Sequence, residues 1–268
     1  MNAMESTIKK SLRASGKILM KSFGKIQKYS VKENQSSIVT KADLASEKAI
    51  VKIIQKEFPK HNIIAEETGF KSNNSEYTWI VDPLDGTSNF ASGIPWFGIF
   101  IALLKASKPI ASGIYLPFYD LMYFAEKGKG ATRNGRRILV SKEKAIKNVL
   151  LSYSLDYSED PSKTENEVKI IKLLVQNTRN LRATNSAIDY FYAADGRLGG
   201  CINQTSKIWD VVAPYLIIKE AGGIVTDIYG NDMEFSADKG NYLRNFTIVA
   251  SNKYLRPEIM NIIRQVMP

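Results

Sequence analysis

The sequence predicts a mixed α/β (α+β) protein: two helices, then a largely antiparallel sheet, then a half in which helices and strands alternate. Three observations predict this. Apolar residues recur at helical spacing through the first 58 positions, and short apolar runs bounded by Gly, Pro, Asn and Asp turns crowd positions 63–153. Beyond the polar stretch 158–162, helical and strand-like patterns succeed one another.

Taken in order, Ile8, Leu12, Ile18, Leu19 and Phe23 predict a first helix over residues 4–28. A second is expected over 42–58, with Leu44, Ile50, Val51, Ile53 and Ile54 on its apolar face and Pro59 ending it. Strand-like runs follow at 63–65, 78–81, 97–104, 110–115, 121–125 and 149–153, all read as members of the antiparallel sheet. The second half predicts helices over 165–176, 187–194 and 210–220 and strands at 200–202, 224–227 and 246–250. A last helix spans 257–266, with proline in its first turn. The stretch 158–162 is the expected junction between subdomains 1–157 and 158–268 of one compact domain. The sequence holds no internal repeat.

With 268 residues, 44% of them hydrophobic, the chain can bury a sizeable core. No apolar run reaches the roughly 18 residues of a membrane helix. The first 21 positions lack the apolar centre of a secretory signal. A cytoplasmic location away from membranes is expected. The single cysteine, Cys201, forbids an intramolecular disulfide and reads as a buried small residue. The single histidine, His61, excludes a Cys/His zinc site, and it falls in the turn Pro59-Lys60-His61-Asn62, read as solvated. Catalysis must then rest on carboxylates, hydroxyls and hard cations such as Mg²⁺. A net charge of +10 suits an anionic partner, but Lys and Arg are spread along the whole chain, so a solvated basic surface is expected and nucleic-acid binding is not.

The most informative stretch is Trp79-Ile80-Val81-Asp82-Pro83-Leu84-Asp85-Gly86-Thr87-Ser88-Asn89-Phe90, an apolar strand ending in two carboxylates three residues apart. Pro83 fixes a backbone angle and Gly86 permits a tight bend, so Asp82, the Leu84 carbonyl and Asp85 can converge. The same composition also suits an ordinary turn. Its neighbourhood favours a site: the strand 63–65 ends in Glu66-Glu67, and Trp209-Asp210 opens an apolar helix. Gly128-Lys129-Gly130 lacks the third glycine of a nucleotide loop and reads as a hairpin turn.

These motifs together resemble the inositol monophosphatase family of lithium-sensitive, Mg²⁺-dependent phosphatases. The matching residues run in order through most of the chain: Val39-Thr40-Lys41-Ala42-Asp43 with Glu47, Ala65-Glu66-Glu67, Asp82 to Phe90, Gly128-Lys129-Gly130-Ala131 with Asn134-Gly135, and Trp209-Asp210 leading into Glu220-Ala221-Gly222-Gly223. The resemblance implies a layered α/β/α/β/α sandwich, a homodimer and two or three Mg²⁺ ions. Glu66, Asp82 and the Leu84 carbonyl would hold one ion, and Asp82, Asp85 and Asp210 a second. Thr87, bonded to Asp43, would position water together with Glu66. The backbone at Gly86 and Thr87 would hold the phosphate of a small monoester, with Asp85 and Asp210 also beside the substrate.

The sequence departs from the family in two places. Thr184-Asn185-Ser186-Ala187 stands where the family carries Gly-Ser/Thr-Ala-Ala, and Asn203 stands where inositol-preferring members place glutamate. Asn185, Ser186 and Asn203 are therefore expected to line the leaving-group side, with Asn203 tolerating anionic alcohols. A relative specific for fructose 1,6-bisphosphate or adenosine 3′,5′-bisphosphate is the alternative enzyme. A non-catalytic RNA- or protein-binding regulator is the alternative of another class.

Overall fold

The computed structural model describes residues 2–25, 28–35, 37–236 and 240–267. The first half runs α1 (Ala3–Ser22), a hairpin of β1 (Tyr29–Val31) and β2 (Ile38–Thr40), α2 (Lys41–Glu57), β3 (Asn62–Ala65), β4 (Gly69–Lys71), β5 (Tyr77–Asp85), α3 (Thr87–Ala91), β6 (Gly98–Lys105), β7 (Lys108–Leu116), β8 (Leu121–Glu126), β9 (Ala131–Arg133) and β10 (Arg136–Arg137). The second runs β11 (Leu150–Ser154), α4 (Pro161–Asn177), β12 (Asn180–Arg182), α5 (Ala187–Ala194), β13 (Gly200–Ser206), α6 (Ile208–Glu220), β14 (Ile224–Thr226), β15 (Phe246–Ser251) and α7 (Arg256–Arg264).

Helix α1 starts where the Asn2 side chain accepts the Glu5 N–H at 2.8 Å. It stops earlier than expected, because Phe23 turns extended and Gly24 takes a φ of 77°. Residues 26 and 27 of the expected helix lie outside the described residues. On α2 the expected apolar face holds for Ile50 and Ile54, which are buried, and for Val51, which packs against the same core, but not for Leu44, which is 52% exposed; Ala42, Asp43, Ser46 and Glu47 complete the inward face. The inward face carries polar groups because it must bond to α1 and β5: Ser46 Oγ meets Ser15 Oγ of α1 at 2.5 Å and donates to the Pro83 carbonyl of β5 at 2.8 Å.

Eight strands form one sheet in the order β10-β9-β8-β7-β6-β5-β3-β4, antiparallel except for the parallel pair β3 and β5. Both faces are covered, which is why β6 reads as one unbroken apolar run. Ile99, Ile101 and Leu103 pack toward α1 and α2, and Phe100, Ala102 and Leu104 toward α5 and α6.

The strand expected at 149–153 does not join this sheet. As β11 it lies parallel to β12 and β13 in a five-stranded sheet of order β12-β11-β13-β15-β14. An apolar strand satisfies either sheet equally. Parallel neighbours need a long crossover, and α4 and α5 supply it. Leu151 and Tyr153 pack with Ile170, Leu174, Ile259 and Ile263 of α4 and α7. The layers are thus α1/α2, large sheet, α5/α6, small sheet, α4/α7, the sandwich that the resemblance implies.

His61 does not stand free in a solvated turn. Its ring stacks between Phe58 and Tyr77, and its Nδ1 accepts the Trp79 Nε1–H at 3.2 Å. Among the described residues no helix is long and apolar enough to cross a membrane.

Candidate active site

The end of β5 is bent by a bulge. Asp82 pairs with Phe100 and Asp85 with Gly98, so three steps on β5 face two on β6. Pro83, with no N–H to lose, sits in the bulge, and Asp82 Oδ1 accepts the Leu84 N–H at 2.9 Å. Gly86 follows with a φ of 77°, and a Cβ there would lie 2.6 Å from the Trp96 carbonyl oxygen. Only glycine meets both conditions. The chain then enters α3, and Thr87 Oγ1 stands 2.9 Å from Asp43 Oδ1 and 2.9 Å from the Leu84 carbonyl.

Asp43 is placed by the start of α2. Thr40 caps the helix, and Asp43 Oδ2 accepts the Thr40 N–H at 2.8 Å in a reciprocal capping box. The parallel pairing of β3 with β5 brings Glu66 beside Asp82, and the Glu66 N–H donates to the Val81 carbonyl at 3.1 Å. Glu47 Oε2 accepts the Glu67 N–H at 2.8 Å. Asp210 comes from the first turn of α6, where its Oδ2 accepts the Lys207 N–H at 2.6 Å.

These carboxylates are held against their own repulsion. Burial, then the charges of Glu66, Asp85 and Asp210, raises Asp82 well above the usual carboxylate range. Burial pushes Asp85 and Asp210 to about 7 each. It pushes Glu66 to about 8, although Lys32 opposes the rise. The Lys32 ammonium lies 2.7 Å from Glu66 Oε1 and 2.7 Å from Glu67 Oε1, and so serves as a tethered counter-cation.

Among the described residues, no three acidic, histidine or cysteine side chains enclose an ion position as they stand. Their oxygens are turned onto donors of the chain: Glu66 onto Lys32, and Asp82, Asp85 and Asp210 onto the N–H groups of Leu84, Ala187 and Lys207. The donor set nevertheless fits a hard divalent cation. It is all oxygen, crowded with negative charge and already drawing in the Lys32 ammonium.

A cavity of about 520 Å³ is lined by Glu66, Asp82, Leu84, Asp85, Gly86, Thr87, Asn185, Ser186, Asn203 and Asp210. Asp43 stands behind it, reached through Thr87. Asn203 lines the wall with its amide engaged, since Oδ1 accepts the Thr205 N–H at 2.7 Å and Nδ2 lies 3.3 Å from the Tyr190 hydroxyl. Cys201 is buried in the core, as expected, as is Trp209 at the start of α6, and Gly128 to Gly130 turns between β8 and β9, where Glu220 accepts both glycine N–H groups at 2.8 Å.

Sequence reasoning misses several lining residues, the charged Lys32 and Asp156 among them. Neither carries a motif. Lys32 follows the short, exposed strand β1, and Asp156 sits in a polar loop whose only signal is its nearness to the expected junction.

The family model described as the inositol monophosphatase family matches residues 2–267. A "Fructose-1,6-bisphosphatase/inositol-1-monophosphatase" of Aquifex aeolicus is 33% identical, covering 95% of this chain and 92% of its own. A "Nus factor SuhB" of Haemophilus influenzae is 32% identical, covering 98% and 97%. Among solved structures, the IMPase of Thermotoga maritima superposes with a TM-score of 0.87 at 30% identity, covering 100% of this chain and 98% of that one. The extragenic suppressor protein suhB of Bartonella henselae gives 0.90 at 28% identity, covering 98% and 99%.

Proposed function

The chain belongs to the inositol monophosphatase family, and from that premise we propose that it is a Mg²⁺-dependent phosphatase acting on a small phosphate monoester. The observation that carries this reading is the convergence of Glu66, Asp82, Asp85 and Asp210 on one cavity beside the Asp43–Thr87 pair. Structural stability gains nothing from four like charges gathered there; a site for divalent cations does. Glu66, Asp82, Asp85, Asp210 and the Leu84 carbonyl would hold two or three Mg²⁺ ions, which when bound neutralise the phosphate charge and make water a better nucleophile.

The chain's own groups do the positioning. Asp43, held by the α2 cap, orients the Thr87 hydroxyl toward the cavity, and Thr87 with Glu66 orients the attacking water. The backbone at Gly86 and Thr87 seats the phosphate. The wall formed by Asn185, Ser186 and Asn203 faces the departing alcohol. A homodimer and a cytoplasmic location belong to the same reading.

The test is release of inorganic phosphate from a generic monoester with Mg²⁺ and with a chelator. Activity should require Mg²⁺, and Asp82→Asn should remove nearly all of it while the fold persists, because a neutral amide is a poorer ligand than a carboxylate for a hard cation. Near-normal rates in the Asn variant at saturating Mg²⁺ would show the assigned centre to be wrong.

Relatives named Nus factor SuhB support a second reading, in which this basic chain also contacts a protein or nucleic acid. That reading alone gives Asp43, Glu66, Asp82, Asp85, Thr87 and Asp210 no work. A chain lacking phosphatase activity on every monoester, yet retained on RNA at physiological salt, would favour it.

A further inference from the structure

Two loops build the cavity wall beyond the carboxylates: the segment after β11, with Leu155, Asp156 and Tyr157, and the segment before α5, with Asn185 and Ser186. Asn185 locks one to the other. Its φ of 47° is the left-handed conformation that asparagine tolerates better than most residues. From there its Oδ1 accepts the Leu155 N–H at 3.2 Å and its Nδ2 donates to the Leu155 carbonyl, pairing with that backbone as a neighbouring strand would. The same Nδ2 lies 3.3 Å from Asp156 Oδ1.

The lock presents a half-buried carboxylate to the cavity, close enough to Asp85 and Asp210 for its charge to be felt at both. The cation whose charge is felt at Asp156, Lys163 of α4, is already committed. Its Nζ bonds Thr205 Oγ1, and its charge is shared between Asp156 and the buried Glu167. Lys207 Nζ is turned to the Leu243 carbonyl at 3.2 Å. Asn203, expected to read the alcohol, has its amide oxygen taken by the Thr205 N–H.

We propose that Asp156 is the specificity-determining residue of this cavity: it accepts a hydrogen bond from a hydroxyl of the departing alcohol and disfavours a second phosphate on it. The inference rests on the phosphatase reading and narrows its substrate class to phosphate monoesters of polyhydroxy alcohols. An ionised carboxylate only accepts, so it rewards a hydroxyl and repels a phosphate. Neither lysine is placed to reverse that sign without giving up a bond it now makes.

The experiment compares the wild type with Asp156→Asn and Asp156→Ala, in Mg²⁺, on inositol 1-phosphate, fructose 1,6-bisphosphate and 4-nitrophenyl phosphate, whose leaving group has no hydroxyl to donate to the wall. Both variants should lower kcat/KM for inositol 1-phosphate by about ten-fold, the usual effect of one charge-assisted hydrogen bond. The nitrophenyl ester should stay within about two-fold, which also reports an intact fold and metal centre. The ratio of bisphosphate to inositol 1-phosphate turnover should rise. An equal fall on all three substrates, or an unchanged ratio, overturns the assignment. Failure of the wild type to hydrolyse any of the three removes the phosphatase reading itself, and this inference with it.

Discussion

Replacing Thr87 by valine keeps the shape of the side chain and removes its hydroxyl, which makes the substitution a clean probe of the Asp43–Thr87 pair. In the structure that hydroxyl stands 2.9 Å from Asp43 Oδ1 and 2.9 Å from the Leu84 carbonyl. Its loss leaves one oxygen of a fully buried carboxylate without this donor, while the Thr40 N–H still serves the other. A hydrogen bond to a charged group contributes about 1.5–3 kcal/mol, so valine should destabilise the fold by roughly that much. For a chain of this length the melting temperature should fall by about 2–4 °C per kcal/mol.

A protein stable by about 5–15 kcal/mol remains almost wholly folded after such a loss, so unfolding cannot account for a large drop in rate at 25 °C. If Thr87 positions water, kcat should fall by about 100-fold or more, the usual consequence of misplacing a reacting group. Thr87→Ser, which restores the hydroxyl, should recover most of that rate. The assay is phosphate release at saturating Mg²⁺ and substrate, paired with thermal unfolding of each variant. A valine variant whose kcat stays within about three-fold of wild type refutes the role, whatever its stability.

Two further outcomes follow from particular residues. Millimolar Li⁺ should inhibit at limiting Mg²⁺, because a small monovalent ion at Asp82, Asp85 and Asp210 brings too little charge to support turnover; flat rates through a lithium titration would remove that claim alone. Burial between Phe58 and Tyr77 lowers the pKa of His61, and the Trp79 N–H bond needs its Nδ1 unprotonated. The unfolded chain therefore takes up the proton first, and the His61 contribution, present above about pH 6.5, is lost as pH falls below it. The raised carboxylates of the site act in the opposite sense. The measurement is accordingly the difference in urea midpoint between wild type and His61→Phe from pH 7.5 to 5.5, and a difference that does not change with pH sinks the idea.

Much of the site is legible in the sequence because it lies on local features. Strand β5 announces itself by an apolar run that stops at Asp82, and the Pro83–Gly86 chemistry that bends its end is written in adjacent letters. Asp43 and Thr40 form a helix start readable from residues three apart, and Asp210 opens α6 in the same way. Helix α5 occupies the predicted Ala187–Ala194. What escapes the sequence is decided by neighbours far along the chain. The membership of β11 depends on where α4 returns, and the inward face of α2 depends on what Ser46 and Asp43 must bond to, not on where its leucine lies. The bonds that hold the Asn203 amide to Tyr190 and Thr205 are likewise set by tertiary neighbours that the sequence does not reveal.

The same contrast explains how the molecule sustains a site that its own electrostatics oppose. Asp82 lies in a bulge pinned through Pro83 to Ser46 and thence to Ser15, so one hydroxyl chain ties the site to both helices of the outer layer. Asp85 is tied across the cavity to the Ala187 N–H at the start of α5, and Asp210 to the Lys207 N–H at the start of α6. These three aspartates are thus fastened by backbone donors or by a bend in rigid secondary structure. Lys32, on an isolated two-stranded hairpin outside both large sheets, supplies the only side-chain cation that reaches Glu66 in the described residues. The frame of like charges is thus offset in part by one tethered cation, and the divalent ions proposed for it would have to draw these oxygens off the donors they now face.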